Sequence, residues 1–399
     1  MTMSNLPPDP YPHGGPISED RMSVRSQLDR RLLTLVRRHG ALAKSELARL
    51  AGLSPQTVSV ATRALEDEGL LQRLAPVRGR IGQPMIPLAL APNGAYVAGA
   101  KIGRRSVEYL LADFRGGVLS HTSLRYSAPD PTLVLPWLRA QLRQTRDTLG
   151  PAASRLSGLG IAMPCLLWDW PSDTPSNQRH LQAWNSTDPS AELADEGLPI
   201  ILVNDATAAC VAEMMFGDAT FSSDTVYFYI GTFIGGGIVQ NGRLWTGPTG
   251  QGGALGSILV QGDHQKPVQL IKVASLSVLE QSVMDAGAEC PDLTEDGQDW
   301  TPVMQYATPW IERAAQALAQ ASVTAAAITR CRTIVIDGAI PDTMRQALVE
   351  RTRHHMSMLD MSGIASVSVG PGTRGILART LGAAGMPLIE EFGLSIEIG

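Results

Sequence analysis

Five side chains, Gln56, Thr57, Ser59, Val60 and Arg63, are spaced to form the outer face of one helix. Gln pairs in bidentate fashion with adenine and Arg with guanine when a helix carries them into a major groove. Arg78 and Arg80, separated by Gly79, form a second basic group able to reach a phosphate or a narrow minor groove. Two further groups lie in the body of the chain. The run Gly231-Thr232-Phe233-Ile234-Gly235-Gly236-Gly237 lets backbone N–H groups approach an anion, although glycine is also simply turn-forming. Asn204 and Asp205 close one expected strand and open a helix, placing a carboxylate at the C-terminal end of a strand, where α/β sheets bind ligands. Asp205 serves equally well as a cap for a helix over 206–216.

The elements that must position the first group are legible. Leu28, Leu32, Leu35 and Val36 mark one face of a helix that stops at Gly40, and a second short helix runs from Lys44 to Ala51 and ends at Gly52. A third starts with Ser54 as N-cap and Pro55 at its first position, and sets Val58, Ala61 and Leu65 on one stripe before Gly69. Small Ala48 allows the second and third helices to approach, Gly52 accommodates the tight turn, and Val58 and Ala61 seat one helix on the other: the spacing of a helix-turn-helix. Strands at Leu70–Leu74 and Met85–Leu90, around a loop at Ala75–Pro84, complete the layout of a winged helix. Such a unit binds DNA or, alternatively, serves protein contacts.

Residues 1–24 hold five prolines and few large apolar groups, the composition of a disordered tail. The winged helix-turn-helix is expected over 25–92, a first α/β lobe over 93–213 with a C-terminal helix at 374–399, and a second lobe over 214–373. Tyr96–Ile102, Val107–Phe114 and Val118–Arg125 read as one meander, and Thr225–Ile230, Gly236–Gln240 and Leu255–Val260 as another. Each is followed by alternating helices and strands, with helices expected at Val268–Ala286 and Pro302–Ile328 in the second half. Two related α/β halves imply a bilobal body with a cleft.

Composition narrows the class. With 44% apolar and 18% charged residues the chain is globular, and no apolar run is long enough for a membrane span or a signal peptide. Cys165, Cys210, Cys290 and Cys331 lack CxxC spacing, which excludes a zinc ribbon and a disulfide framework and fits a reducing cytoplasm. The net charge of −5 hides an asymmetry: residues 21–90 hold 12 Lys/Arg against 5 Asp/Glu. The basic segment coincides with the helix-turn-helix.

Taken together, the residues after position 25 resemble the ROK family of repressors and sugar kinases. Asn204-Asp205-Ala206-Thr207-Ala208-Ala209 through Glu213 resembles its Asn-Asp-Ala helix, Gly231–Gly237 with Asn241-Gly242 its second phosphate hairpin, and the winged helix that of its repressor branch. The resemblance implies an actin-like, hexokinase-like (ribonuclease H-like) ATPase fold behind the N-terminal winged helix-turn-helix. It also implies effector contacts from Trp184, Asn185, Asn204 and Asp205, of which Asn204 would hold sugar hydroxyls and Asp205 would be the base for a kinase. The chain departs from the pattern at the catalytic positions. Lys101-Ile102-Gly103-Arg104-Arg105 stands where the family has Asp-x-Gly-Gly-Thr, and Gly253-Ala254-Leu255-Gly256-Ser257 where it has Gly-Glu-x-Gly-His. The cysteine-rich zinc loop is missing, and His264 alone does not make a metal site. The expectation is therefore a DNA-binding regulator, a repressor, that dimerises on a palindromic operator and senses a small molecule, with no catalytic residues, no cofactor and no metal. A sugar kinase with a DNA-binding appendage, or a regulator whose body only dimerises, are the alternatives.

Overall fold

Ser26 caps the first helix by accepting from the Asp29 amide at 3.1 Å, and Gly40, at φ 73°, ends it. In this computed structural model, residues 25–77, 85–164, 167–169, 174–217, 222–245, 247, 252–262, 266–294 and 297–394 are described. The tail over 1–24, the wing residues Arg78 and Arg80, Cys165 and His264 lie outside them.

The head contains α1 (Gln27–His39), β1 (Leu42–Ala43), α2 (Lys44–Ala51), α3 (Pro55–Asp67), β2 (Leu71–Arg73) and β3 (Pro87–Leu90). Its strands form a sheet in the order β1-β3-β2. Strand β1 has no counterpart among the elements read from sequence, because two residues are too few to show alternation. The Val77–Met85 bridge extends the wing past β2 and β3.

The body follows as β4 (Tyr96–Ile102), β5 (Ser106–Asp113), β6 (Val118–Arg125), α4 (Pro131–Leu149), β7 (Leu156–Met163), α5 (Pro175–Ala183), α6 (Pro189–Glu192) and β8 (Ile200–Asn204). Next come α7 (Asp205–Phe216), β9 (Thr225–Ile230), β10 (Gly235–Gln240), β11 (Arg243–Trp245), β12 (Leu259–Gln261), β13 (Pro267–Gln269), α8 (Ile271–Ala274) and α9 (Leu276–Asp285). The chain ends with α10 (Met304–Thr329), β14 (Thr333–Gly338), α11 (Asp342–Met356), β15 (Ser368–Pro371) and α12 (Ala378–Phe392). It divides into two units: residues up to Asp205 with the segment from Ala383, and Ala206–Gly382.

Each unit has a five-stranded sheet of the same connectivity, β6-β5-β4-β7-β8 in the first and β11-β10-β9-β14-β15 in the second. In both, an antiparallel meander adds two parallel strands at one side. Helices cover the sheets: Val134, Leu138 and Leu142 of α4 pack in the first unit, and Trp310, Ala314 and Leu318 of α10 in the second. Gly160 on β7 lies so close to the Ala383 carbonyl of α12 that a methyl group could not fit.

Two expectations for the second unit are corrected. The third strand of its meander is Arg243–Trp245, not Leu255–Val260: Asn241 (φ 50°) and Gly242 (φ 74°) make a two-residue turn that returns the chain at once onto β10. Leu255–Ser257 is instead a single 3-10 turn, and Leu259–Gln261 pairs with Pro267–Gln269 in a separate hairpin. The helix expected over Val268–Ala286 is consequently a strand followed by two helices, α8 and α9, divided at Ser275. In addition, Asp205 is the first residue of its helix rather than the residue before it.

Candidate nucleic-acid interface and ligand site

The helix-turn-helix is built at the contacts its spacing requires. Gly52 takes a left-handed conformation at φ 61°, and its turn is closed by the Leu53 amide donating to the Ala48 carbonyl at 3.0 Å. Ser54 accepts from the Thr57 amide at 3.1 Å, and Pro55 opens α3. Val58, Ala61 and Leu65 are buried with Ala48, so the opposite face of α3 points outward. On that face Gln56, Thr57, Ser59, Val60 and Arg63 are all exposed. Arg73 of β2 grips Glu66 with two hydrogen bonds, 2.7 and 3.2 Å, which ties the wing to α3 and holds the Glu66 carboxyl below its ordinary pKa.

In the first unit β4, β7 and β8 run parallel, so Gly103, Pro164 and Asp205 follow them at one edge of the sheet. Asn204 and Asp205 are half-buried there, with Asn204 in register with Met163. Asn185 is exposed, whereas Trp184 is only 2% exposed and donates its indole N–H to the Pro129 carbonyl at 3.0 Å. The indole is thus a core side chain.

Lys101 occupies the end of β4 at 4% exposure and pairs with Glu108, its cross-strand partner on β5. His121 Nε2 lies 3.9 Å from the other Glu108 oxygen. Tyr126 donates to the Gly103 carbonyl at 2.8 Å, and burial, reinforced by Glu108, drives its pKa well up. Residue type singles out Lys101 in the sequence but not its partner, which counting across the intervening turn supplies: positions 102 and 107 pair, so 101 and 108 must.

In the second unit the glycine-rich run joins β9 to β10, and packing explains three of its four glycines. A methyl on Gly235 would lie 2.7 Å from Ala206 Cβ, one on Gly237 2.6 Å from Cys210 Cβ, and one on Gly236 would strike the Tyr227 carbonyl. The run's carbonyls are also engaged. Leu276 and Ser277, the first amides of α9, donate to the carbonyls of Gly231 and Thr232 at 3.0 and 3.1 Å, and Ile234 donates to Ser275 Oγ at 3.0 Å. The amide ends that a helix offers to an anion are therefore occupied at α9 by the hairpin itself. Ala254 and Ser257 are exposed.

A buried polar cluster at the ends of β14 and β15 has no forerunner in the sequence reading. Asp337 accepts from Tyr227 (3.0 Å), Arg345 (3.0 Å) and the amides of Gly338 (2.8 Å) and Gly375 (3.1 Å). Glu213 of α7 accepts from the Thr373 amide at 2.8 Å, while burial raises its pKa. Both carboxylates are thus supplied with donors from within the unit, while Arg345 Nε is buried without a hydrogen-bond partner among the described residues. Among the described residues no group of three or more His, Cys, Asp or Glu side chains is placed to hold a metal, and no helix is long and apolar enough to cross a membrane.

Comparison with known proteins matches this geometry. A winged helix-turn-helix DNA-binding family matches residues 25–72. An uncharacterized protein y4fQ of Sinorhizobium fredii is 27% identical over 374 residues, 91% of either chain. A xylose repressor of Bacillus spizizenii is 22% identical over 60% of this chain and 62% of its own, so the match spans less than two thirds of that repressor. A crystal structure of a ROK family transcriptional regulator, a homologue of the Escherichia coli MLC protein, superposes with a TM-score of 0.66 at 21% identity, covering 92% of this chain and 96% of that one. The ROK family itself matches residues 97–384, which takes in both five-stranded sheets, the Asn204-Asp205 edge and the glycine hairpin; the chain belongs to the ROK family.

Proposed function

We propose that the protein is a transcriptional repressor that binds a palindromic operator as a homodimer through α3 and the wing, and that its ROK body senses a small molecule without phosphorylating it. The observation that carries this is the outward face of α3 on a head whose helix-turn-helix contacts are complete. Gln56, Thr57, Ser59 and Arg63 read bases, and Arg78 and Arg80 neutralise backbone phosphates. The repressor and regulator found among its relatives support this assignment. Asn185, Asn204 and Asp205 are the proposed effector contacts, with Trp184 positioning Asn185. The protein acts in the cytoplasm, where its operator is.

Two observations favour a body without kinase activity. Lys101 stands in place of a carboxylate able to hold Mg²⁺, and its charge is already balanced by Glu108. The first amides of α9 are capped by the hairpin. Phosphoryl transfer is mostly positioning and charge neutralisation, and both would be impaired.

Selection of bound duplexes from a random pool, followed by release with candidate metabolites, tests the regulator. A selected, two-fold symmetric site released by one metabolite class is the expected result, and absence of any sequence preference would refute it. A coupled assay with ATP, Mg²⁺ and a sugar panel tests the other half. Turnover near 1 s⁻¹ that vanishes in Asp205→Ala would restore the enzyme reading.

A further inference from the structure

Val60 is the one large apolar side chain on the outer face of α3, and it is 68% exposed. At 3.6 residues per turn, Gln56, Val60 and Arg63 fall at i, i+4 and i+7, one line along the side opposite buried Val58, Ala61 and Leu65. A β-branched residue there gains nothing from the head's core and lowers helix propensity slightly. Val60 also forms part of a shallow depression lined by Leu28, Asp29, Ser54, Gln56, Thr57 and Ala61. A methyl-sized apolar group seated against Val60 would meet carbon, while Gln56 and Arg63 flank it with donors.

Among base edges in the major groove, only thymine presents a methyl group. We propose that Val60 is a specificity residue that reads a thymine methyl within each half-site, beside the bases hydrogen-bonded by Gln56 and Arg63. This rests on the reading that α3 enters a major groove, and it adds an apolar contact to the polar ones assigned there. The basic balance of the segment that carries α3, 12 Lys/Arg against 5 Asp/Glu over 21–90, suits a polyanion as the partner of the head rather than an apolar protein.

The test uses the full chain and a duplex selected from a random pool, with each thymine replaced in turn by deoxyuridine, which removes the methyl and leaves base pairing intact. Wild-type protein should lose about three- to fivefold in affinity at one thymine per half-site, the scale of one buried methyl group. Val60→Ala should bind the unmodified site about that much more weakly and show no further loss at the same deoxyuridine. Because Val60 is exposed and Ala favours helix, the variant keeps its fold, which its thermal melt verifies. Sequence-selective binding with every deoxyuridine tolerated would overturn the proposal alone, as would a penalty that persists unchanged in Val60→Ala. No sequence-selective binding at all would overturn the major-groove reading and this contact with it.

Discussion

The guanidinium of Arg25 lies over the ring of Phe392, 4.9 Å from its centre, and so joins the chain just ahead of α1 to the last residue of α12. The same ring meets Phe114 at 4.8 Å with a 55° tilt, Thr34 donates to the Gly393 carbonyl at 3.3 Å, and Arg25 also pairs with Glu68 at 2.8 Å. Arg155 donates to the Asn93 carbonyl and lies against Gly69, adding a second tie beside the first, in a depression that it lines together with Arg25, Glu68 and Phe392. Within this unit the DNA-binding head is held by the body's C-terminal end.

Phe392→Ala should therefore loosen the head as well as the core. Phe392 is almost fully buried, and truncation of such a ring costs about 3–5 kcal/mol. Arg25→Ala, which removes a cation–π contact and a partly exposed ion pair, should cost about 1 kcal/mol. Hydrogen exchange resolved by segment is the measurement. Protection over α1 to α3 should fall more than protection over β4 to β8 in Phe392→Ala, and equal losses in both would show that the head is not held there.

The glycine hairpin yields a contrast between neighbouring positions. Gly236→Ala has to push a methyl into the Tyr227 carbonyl and towards Leu255, and should destabilise by about 1–3 kcal/mol or more. At Gly231 the nearest atom would be Tyr229 Cε1 at 3.3 Å, so Gly231→Ala should be tolerated within about 1 kcal/mol. Denaturant midpoints compare the two. Equal, small losses at both positions would mean that close packing is not what requires glycine at 236.

Legibility in the sequence follows the range of the interactions. The cap at Ser54, the turn at Gly52 and the stripe of Val58, Ala61 and Leu65 are local, so residue type and spacing are enough to place the two helices they bound. The first meander is legible because its strands are seven or eight residues long. The second is legible in its first two strands but not its third, because a three-residue strand, Arg243–Trp245, carries no usable period, while the apolar run Leu255–Val260 mimics one. Residue type suggests a site but does not report burial. Trp184 has the chemistry of a stacking surface, yet it lies in the core through contacts distant in sequence, including its bond to Pro129. The Asp337 cluster draws on residues from Tyr227 to Gly375 and has no local signature.

Lys101 and Glu108 should behave as a unit. Lys101→Met alone deprives a buried carboxylate of its ammonium partner, and Glu108→Leu alone deprives a buried ammonium of its carboxylate; either should cost about 3–5 kcal/mol. The double change removes both charges together and should recover most of that loss. A double-mutant cycle from urea unfolding measures the coupling. If the double variant is as unstable as the sum of the singles, the two charges do not depend on each other.

Acid stability should carry the imprint of Glu312 on α10. Two hydrogen bonds from Arg351, at 2.6 and 2.7 Å, and one shared with His355 Nε2 at 2.8 Å link it to α11, and these partners, Arg351 foremost, pull its pKa from 4.5 down to about 2. A carboxylate whose folded pKa is depressed contributes stability that is fully present above its unfolded pKa and lost as pH falls through the folded one, here between about 4.5 and 2. Both Glu312 and Arg351 are 44% exposed, so solvent screening limits the contribution to about 1 kcal/mol, less than the shift alone would imply. Glu312→Gln should therefore be less stable than wild type by up to that amount at pH 7 and pH 5. The gap should narrow at pH 4 and narrow further at pH 3. Because Arg351 is the larger cause, the same narrowing should persist when both proteins also carry His355→Gln. Urea midpoints across this series are the measurement, and a gap of constant size from pH 7 to pH 3 would show that the Glu312 charge does not support the α10–α11 contact.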